Sequence, residues 1–104
     1  MRILVLFGGE SVEHEISVIT ANQVMNALRV NYTVIPVYIS KENKLYYTKE
    51  LLDLKTYKNI EKITRKRNEV KIYKERKKCF IRLNGIKKIY FDMAFQYQRL
   101  SLVL

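Results

Sequence analysis

Residues 2–9 read Arg2-Ile3-Leu4-Val5-Leu6-Phe7-Gly8-Gly9, and this stretch decides the fold of the chain. From Ile3 to Phe7 it is a continuous, partly β-branched apolar run, which is typical of a strand buried on both faces. The glycine pair ends the run and turns the chain without side-chain bulk. We therefore predict a central parallel strand over residues 2–7.

A helix is expected after this turn, with its cap at Ser11 and its end near Arg29. Glu13 and Glu15 fall where carboxylates stabilise the amino terminus of a helix. Apolar residues recur at steps of three, four and three and form a stripe that can pack on a sheet: Val18, Ala21, Met25 and Leu28.

A second strand, T-V-I-P-V-Y-I at residues 33–39, completes a strand–helix–strand unit. Such units are right-handed almost without exception, and they build α/β layers whose sites lie at the carboxyl ends of the strands. The predicted fold class is a Rossmann-like α/β layered domain with a short parallel sheet. The loop from Gly8 to Glu13 then lies at a potential site.

The remaining sequence predicts short strands with an irregular, basic hairpin region among them. The expected elements are a strand at Lys44–Thr48, a helical turn at Lys49–Leu54, hairpin strands at Glu69–Tyr73 and Cys79–Leu83, a turn at Asn84-Gly85, and a third core strand at Lys87–Phe95. Residues 96–104 follow with no turn chemistry and no cap.

The composition describes one small domain of 104 residues. A single cysteine, Cys79, permits no internal disulfide, and together with the single histidine, His14, it cannot complete a structural zinc site. No metal site is expected. The first apolar run is too short for a signal peptide core or a membrane span, so we expect a cytoplasmic protein without membrane contact.

The net charge of +10 is confined to the middle of the chain. Residues 1–39 carry −1, residues 40–90 carry +11 and residues 91–104 are neutral. A basic segment with interleaved aromatic residues can bind nucleic acid by phosphate contacts and base stacking. The aromatic candidates are Tyr46, Tyr47, Tyr57, Tyr73 and Phe80. Because acidic residues alternate with the lysines and no RNA-binding signature is present, a solvated basic face is the interpretation that we favour.

Two interpretations of Gly8-Gly9 follow from the sequence. The pair lies between a strand and a helix, where free N–H groups and the helix dipole can hold an anion. The pattern is neither a dinucleotide fingerprint nor a P-loop, so a simple turn explains it as well.

The polar residues Glu13, His14, Glu15 and Ser17 also have two interpretations. A carboxylate at this position could hold a ligand ammonium or orient a proton-transfer group. Alternatively, the two glutamates only complement the helix dipole, while His14 and Ser17 face solvent.

Residues 3–17, I-L-V-L-F-G-G-E-S-V-E-H-E-I-S, resemble the N-terminal motif of D-alanine–D-alanine ligases. In that motif an apolar strand, a Gly-Gly turn, E-H-E or E-R-E, an aliphatic residue and Ser occur in this order. Weaker similarity continues through the V-I-P-V-Y-I-S, K-L-Y-Y-T and F-D-M-A-F segments, so that it covers about residues 2–95.

The resemblance implies an N-terminal domain of the pre-ATP-grasp type from a ligase of peptidoglycan synthesis. The family couples two D-alanine molecules with ATP and magnesium and is usually homodimeric. Glu13 matches the first glutamate of the motif, which helps to hold the ammonium of the first D-alanine. Gly8, Gly9, His14 and Ser17 match the substrate loop, and the resemblance gives them no separate chemical role.

The family continues after the F-D-M-A-F strand with H-G-x-x-G-E-D-G and the ATP-grasp domain, whereas this chain reads Q-Y-Q-R-L-S-L-V-L. We therefore expect a ligase-like domain at residues 1–95 and a divergent tail at 96–104, explained by truncation or a frameshift. The chain alone is expected to bind neither ATP nor magnesium and to be inactive. The alternatives are a non-catalytic module that pairs with a separate ATP-grasp chain and, less favoured, a nucleic-acid-binding protein.

Overall fold

The computed structural model describes residues 1–8 and 14–97, with only the backbone at 14–17 and at 97. One α-helix, α1 (His14–Leu28), follows the first of seven strands. The strands are β1 (Arg2–Gly8), β2 (Thr33–Ile39), β3 (Leu45–Tyr47), β4 (Glu69–Glu75), β5 (Lys78–Leu83), β6 (Lys87–Phe91) and β7 (Met93–Tyr97). Short 3-10 helices at Lys49–Leu52, Leu54–Lys62 and Lys66–Asn68 connect β3 to β4.

The strands form one sheet in the order β6-β5-β4-β3-β2-β1-β7. β1 pairs in parallel with β2, where Ile3 faces Val34, and in parallel with β7, where Ile3 faces Met93. All other pairings are antiparallel. The predicted α/β class with a short parallel sheet is confirmed, and the parallel part consists of β2, β1 and β7.

Pro36 lies in β2 without interrupting the sheet. The antiparallel pairing of β2 with β3 begins at Val37, so no residue of β3 faces Pro36. Proline lacks an N–H and is tolerated only where no ladder partner needs that donor. The ring of Pro36 is fully buried instead.

The helix-facing side of the sheet carries the larger core. Ile3, Val5 and Phe7 of β1 pack with the apolar stripe of α1, of which Val18, Ala21 and Met25 are buried and Leu28 is partly buried. The first 3-10 helix adds Leu51, and Ile63 follows directly after the second; both are also fully buried. The stripe predicted from helical spacing is therefore the face that packs on the sheet.

The other face of the sheet is covered by the antiparallel strands of the same sheet. Leu4 of β1, Val37 of β2 and Ile81 of β5 are fully buried in a second cluster that includes no helical residue. β6 contacts β1 although the two strands are far apart in the strand order. The predicted hairpin strands Glu69–Tyr73 and Cys79–Leu83 are confirmed as parts of β4 and β5. Together with β6 they form an antiparallel extension of the sheet that folds over this core.

Residues 87–95 form two strands, and the prediction of a single core strand there was wrong. β6 pairs with β5, whereas β7 pairs with β1 at the opposite end of the sheet. Asp92 separates them: its Oδ2 accepts a hydrogen bond from the Arg2 N–H at 2.8 Å, and its own N–H donates to the Arg2 carbonyl at 2.9 Å. This pair of hydrogen bonds fixes the point at which the chain passes from β6, at one edge of the sheet, to β7, at the other edge.

The turns of the antiparallel part depend on residues in the left-handed region. Arg76, in the two-residue loop between β4 and β5, has φ 59°. Asn84 and Gly85, with φ 55° and 70°, lie in the loop between β5 and β6. The predicted Asn84-Gly85 turn is confirmed, because asparagine and glycine tolerate positive φ better than other residues.

Replacing Asp92 by Ala should lower the free energy of unfolding by about 1 kcal/mol, because a backbone donor loses its acceptor at an exposed position. Asp92→Asn keeps an acceptor oxygen and should lose less. Urea denaturation measures both changes. Glu61→Ala, which removes the same charge from an exposed residue of the second 3-10 helix, should leave the midpoint unchanged. Equal losses in Asp92→Ala and Glu61→Ala would contradict the role given to Asp92.

Candidate functional site

The candidate site lies at the carboxyl edge of the parallel strands. Gly8 at the end of β1 is level with Ile39 at the end of β2, and Phe7 is level with Tyr97 at the end of β7. The loop that leaves Gly8 returns to the helix at His14. This edge is where α/β folds with parallel strands place their ligands.

Gly8 is required by the close approach of β1 and β2. Its φ of +99° belongs to a region that residues with a side chain rarely adopt. A Cβ atom here would lie 2.6 Å from the Ile39 carbonyl oxygen and 2.9 Å from Cε1 of Tyr38. The interpretation of Gly8 as a structural turn therefore has direct support, while the anion cradle of Gly8-Gly9 stays a prediction.

The other predicted site residues fall largely outside the described part of the chain. Gly9 and Glu13 lie in the segment 9–13, which is not described. His14 and Ser17 are in the first turn of α1, where the backbone alone is described. The predicted helix cap at Ser11 also lies outside the described residues. The roles given to these residues remain predictions.

A cavity of about 490 Å³ lies beside this edge, between α1, the end of β2 and the second 3-10 helix. Its walls are mainly apolar, with Val18 and Ile19 on the helix side and Tyr38 on the sheet side. Two ammonium groups, those of Lys41 and Lys58, belong to its lining. Among the described residues, no carboxylate belongs to this lining.

The two tyrosines of this cavity support its wall. Phe7 makes edge contacts with the rings of Tyr38 and Tyr57, at centroid distances of 5.8 and 6.0 Å. The Tyr57 hydroxyl donates a hydrogen bond to the Leu51 carbonyl at 2.5 Å. Burial, with a smaller contribution from Glu42, raises the pKa of Tyr38 to about 12, and burial raises the pKa of Tyr57 further. Both phenols are neutral near pH 7 and are poor proton-transfer groups there.

An asparagine pair on α1 was not predicted from the sequence. Asn22, which is buried, donates to the Leu51 and Leu52 carbonyls at 3.4 and 3.3 Å, and Asn26 donates to the Leu52 carbonyl at 3.1 Å. These bonds satisfy carbonyls at the end of the first 3-10 helix and fix that helix against α1. The available signal was the i, i+4 spacing of two residues that are poor helix formers.

The aromatic residues of the basic middle are mostly structural. Tyr46 and Phe80 are buried, and Tyr57 packs against the helix-side core. Tyr73 stacks on Phe80, at a centroid distance of 5.5 Å, and remains partly exposed. Arg82 and Lys88 lie over the Phe80 ring at 5.7 and 4.9 Å. The less favoured alternative, in which these rings stack on bases, is not open to Tyr46 and Phe80, because both are buried.

Within 1–8 and 14–97, no group of three or more His, Cys, Asp or Glu side chains could hold a metal ion. Over the same ranges, no helix has both the length and the apolar character needed to cross a membrane.

The family model described as "D-ala D-ala ligase N-terminus" matches residues 2–98. The chain belongs to this family. The D-alanine–D-alanine ligase of Thermosipho melanesiensis is 38% identical over 96 residues, which cover 91% of this chain and 27% of that protein. The D-alanine–D-alanine ligase of Thermosipho africanus is 49% identical over 55 residues, or 52% of this chain and 15% of that protein.

Solved ligase structures share the fold of this domain. The D-alanine–D-alanine ligase of Coxiella burnetii superposes with a TM-score of 0.67 at 19% identity, covering 94% of this chain and 28% of that one. The enzyme from Helicobacter pylori gives 0.66 at 21% identity, with 94% and 29% covered. The chain thus corresponds to less than a third of the length of each of these relatives.

Replacing Gly8 by Ala should destabilise the domain by about 2 kcal/mol or more, because left-handed strain adds to a clash with backbone. Gly85→Ala is the matched control: Gly85 also has a positive φ, but nothing lies within 4 Å of an added Cβ. Thermal unfolding of both variants separates the two contributions. If Gly85→Ala lowered the melting temperature as much as Gly8→Ala, the clash with Ile39 would be unimportant.

Proposed function

We propose that this chain provides the substrate-binding N-terminal domain of an ATP-dependent D-alanine–D-alanine ligase of peptidoglycan precursor synthesis, acting in the cytoplasm. The family match over residues 2–98 is the observation that carries the proposal. The position of the 8–13 loop, between the end of β1 and the start of α1, supports it because ligands of parallel α/β sheets bind at this edge. D-alanine is the proposed ligand.

Glu13 is proposed to pair with the ammonium of the first D-alanine. A charge-assisted hydrogen bond between carboxylate and ammonium is strong when the pair is partly shielded from water. The cavity beside the carboxyl edge has mainly apolar walls, and its described charged groups are the ammonium groups of Lys41 and Lys58, so Glu13 is proposed as the group of opposite charge. Gly8 and Gly9 would shape the loop, while His14 and Ser17 would belong to it without a separate chemical step.

The ATP-dependent formation of a peptide bond between two D-alanine molecules needs catalytic groups in addition to those proposed for this chain. Phosphoryl transfer depends on positioned cations that stabilise charge on the transferred phosphate. The family resemblance assigns those groups, with ATP and magnesium, to the ATP-grasp part, and this chain spans only 27% of its Thermosipho melanesiensis relative. We infer that the chain binds substrate only together with such a part and that it does not catalyse the reaction alone.

The outer strand β7 supports an arrangement with a further protein part. It is the last strand at its end of the sheet, and its Met93 and Phe95 side chains are 45% and 43% exposed. Both lie on the face of the sheet that α1 covers elsewhere, because they are level with Ile3 and Val5. An apolar surface of this kind is typical of an interface. A separately encoded ATP-grasp chain is the alternative source of the partner, and co-purification with such a chain would favour it.

The proposed role of Glu13 can be tested in a chimera that joins residues 2–98 of this chain to the remaining part of the Thermosipho melanesiensis ligase. Glu13→Gln should raise the KM for D-alanine by about tenfold or more, since one charged hydrogen bond is lost. The control is Glu15→Gln, which removes the same charge two residues away and should change KM by less than about twofold. Steady-state phosphate release measures both.

Two results would contradict this proposal. An unchanged KM in Glu13→Gln would remove the ammonium contact. A folded chimera without ligase activity, when the parent enzyme is active under the same conditions, would contradict the assignment of the domain as a working substrate-binding part.

A further inference from the structure

A second cavity lies at the opposite edge of the sheet from the candidate site. It has a volume of about 610 Å³, within the range of small-molecule sites. The starts of β1, β2 and β6 meet the first 3-10 helix around it. The family resemblance assigns no function to these residues, and the cavity is independent of the loop at residues 8–13.

Among the described residues, five cationic residues and no acidic residue belong to the lining of this cavity: Arg2, Arg29, Lys49, Lys87 and Lys88. They come from four separate parts of the chain, since Lys87 and Lys88 are neighbours in β6, so the fold and not a local lysine run brings them together. The sequence places an excess of +11 in residues 40–90, but it does not indicate that Arg2 and Arg29 join that charge. The cavity is therefore a concentrated site for an anion.

Three of these cations have no partner within the described part of the chain. The side chains of Arg2, Lys49 and Lys87 make no hydrogen bond or ion pair there. The nearby Asp92 carboxylate already accepts the Arg2 backbone N–H.

The remaining two cations differ in their surroundings. Arg29 Nη1 donates to Asn26 Oδ1 at 3.2 Å, which leaves its charge uncompensated. Lys88 follows Lys87 in β6, so its side chain leaves the opposite face of the sheet, where its Nζ lies 4.9 Å from the Phe80 ring centroid and 3.8 Å from Glu75 Oε2. An incoming anion would therefore meet up to four cations and displace no buried ion pair.

The rest of the lining suits a flat organic group. The rings of Tyr32 and Tyr47 belong to the wall, together with the aliphatic side chains of Ile35, Leu52 and Ile89. Tyr32 is 41% exposed, and burial raises the pKa of Tyr47, so its ring is uncharged near pH 7. Aromatic rings of this kind stack on nucleic bases, and each stacked base gains binding energy.

We propose that this cavity binds a nucleoside diphosphate or triphosphate, with the base against the two tyrosines and the phosphates among four cations: Arg2, Arg29, Lys49 and Lys87. The charge of the phosphates matches the cations, and the apolar part of the lining matches the base. A free amino acid, with its single carboxylate, or an apolar ligand would match only one part of this lining and not both the cations and the aromatic wall.

Calorimetric titration of the full chain with ADP at low ionic strength, without divalent metal, tests the proposal. ADP should bind, and the affinity should fall by about tenfold or more when Arg2, Lys49 and Lys87 are all replaced by Gln, each charge contributing modestly. The matched control replaces Lys62, Lys66 and Lys71, three exposed residues outside the cavity, by Gln. It has the same net charge and should keep the affinity within about threefold.

Titrations with tripolyphosphate and with adenosine measure the binding of the phosphate part and of the nucleoside part separately. ADP should bind more tightly than either, and Tyr32→Ala should weaken ADP without affecting tripolyphosphate. If the triple variant in the cavity does not fold, Lys87→Gln compared with Lys71→Gln gives the same test with a loss of about threefold in the first.

Several outcomes would overturn the proposal. Absence of ADP binding would exclude the site. Equal losses in the cavity variant and in its control would indicate general attraction to a basic protein. Tripolyphosphate binding as tight as that of ADP would exclude the nucleoside part.

Discussion

Parallel pairing of β1 with β2 on one side and β7 on the other determines where the remaining elements lie. β1 is buried on both faces: Val5 contributes to the helix-side core and Leu4 to the core enclosed by the sheet. The strand can end close to β2 only because Gly8 has no side chain to meet the Ile39 carbonyl. The other end of β1 is joined through Arg2 to Asp92, which places β7. One strand therefore organises both edges at which ligands are proposed.

The sequence predicted the elements better than it predicted their arrangement. The apolar runs predicted β1 and β2, and the stripe from Val18 to Leu28 predicted the buried face of α1. These predictions were possible because the residues that a strand or helix buries follow a regular pattern along the sequence. Periodicity does not report which strands are neighbours. The closure of the sheet onto β1 and the division of residues 87–95 at Asp92 thus could not be read from the pattern, since aspartate lacks the strong turn signal of glycine or proline.

In the candidate site, too, some features could be predicted from the sequence and others could not. The motif at residues 3–17 identified the family, and Gly8 is where the motif requires it. By contrast, the polar contacts of Asn22 and Asn26 connect α1 to residues about thirty positions away in the chain, and their partners are backbone carbonyls. No side-chain pattern marks such acceptors. The basic cavity was also hidden, because its cations are spread from Arg2 to Lys88 and converge only in the folded sheet.

The two ends of the parallel strands differ in chemistry. The carboxyl edge, where D-alanine binding is proposed, has a largely apolar cavity beside it. The amino edge, where a phosphate compound is proposed to bind, carries four cations that face the second cavity. The charge excess of the chain is thus partly placed at the edge opposite the proposed substrate loop.

We propose that this domain contributes substrate binding but not phosphoryl transfer. The most direct test of this proposal is ADP formation by the purified 104-residue chain in the presence of ATP, magnesium and D-alanine. We predict a rate equal to that without D-alanine. D-alanine-dependent turnover by this chain alone would contradict the account.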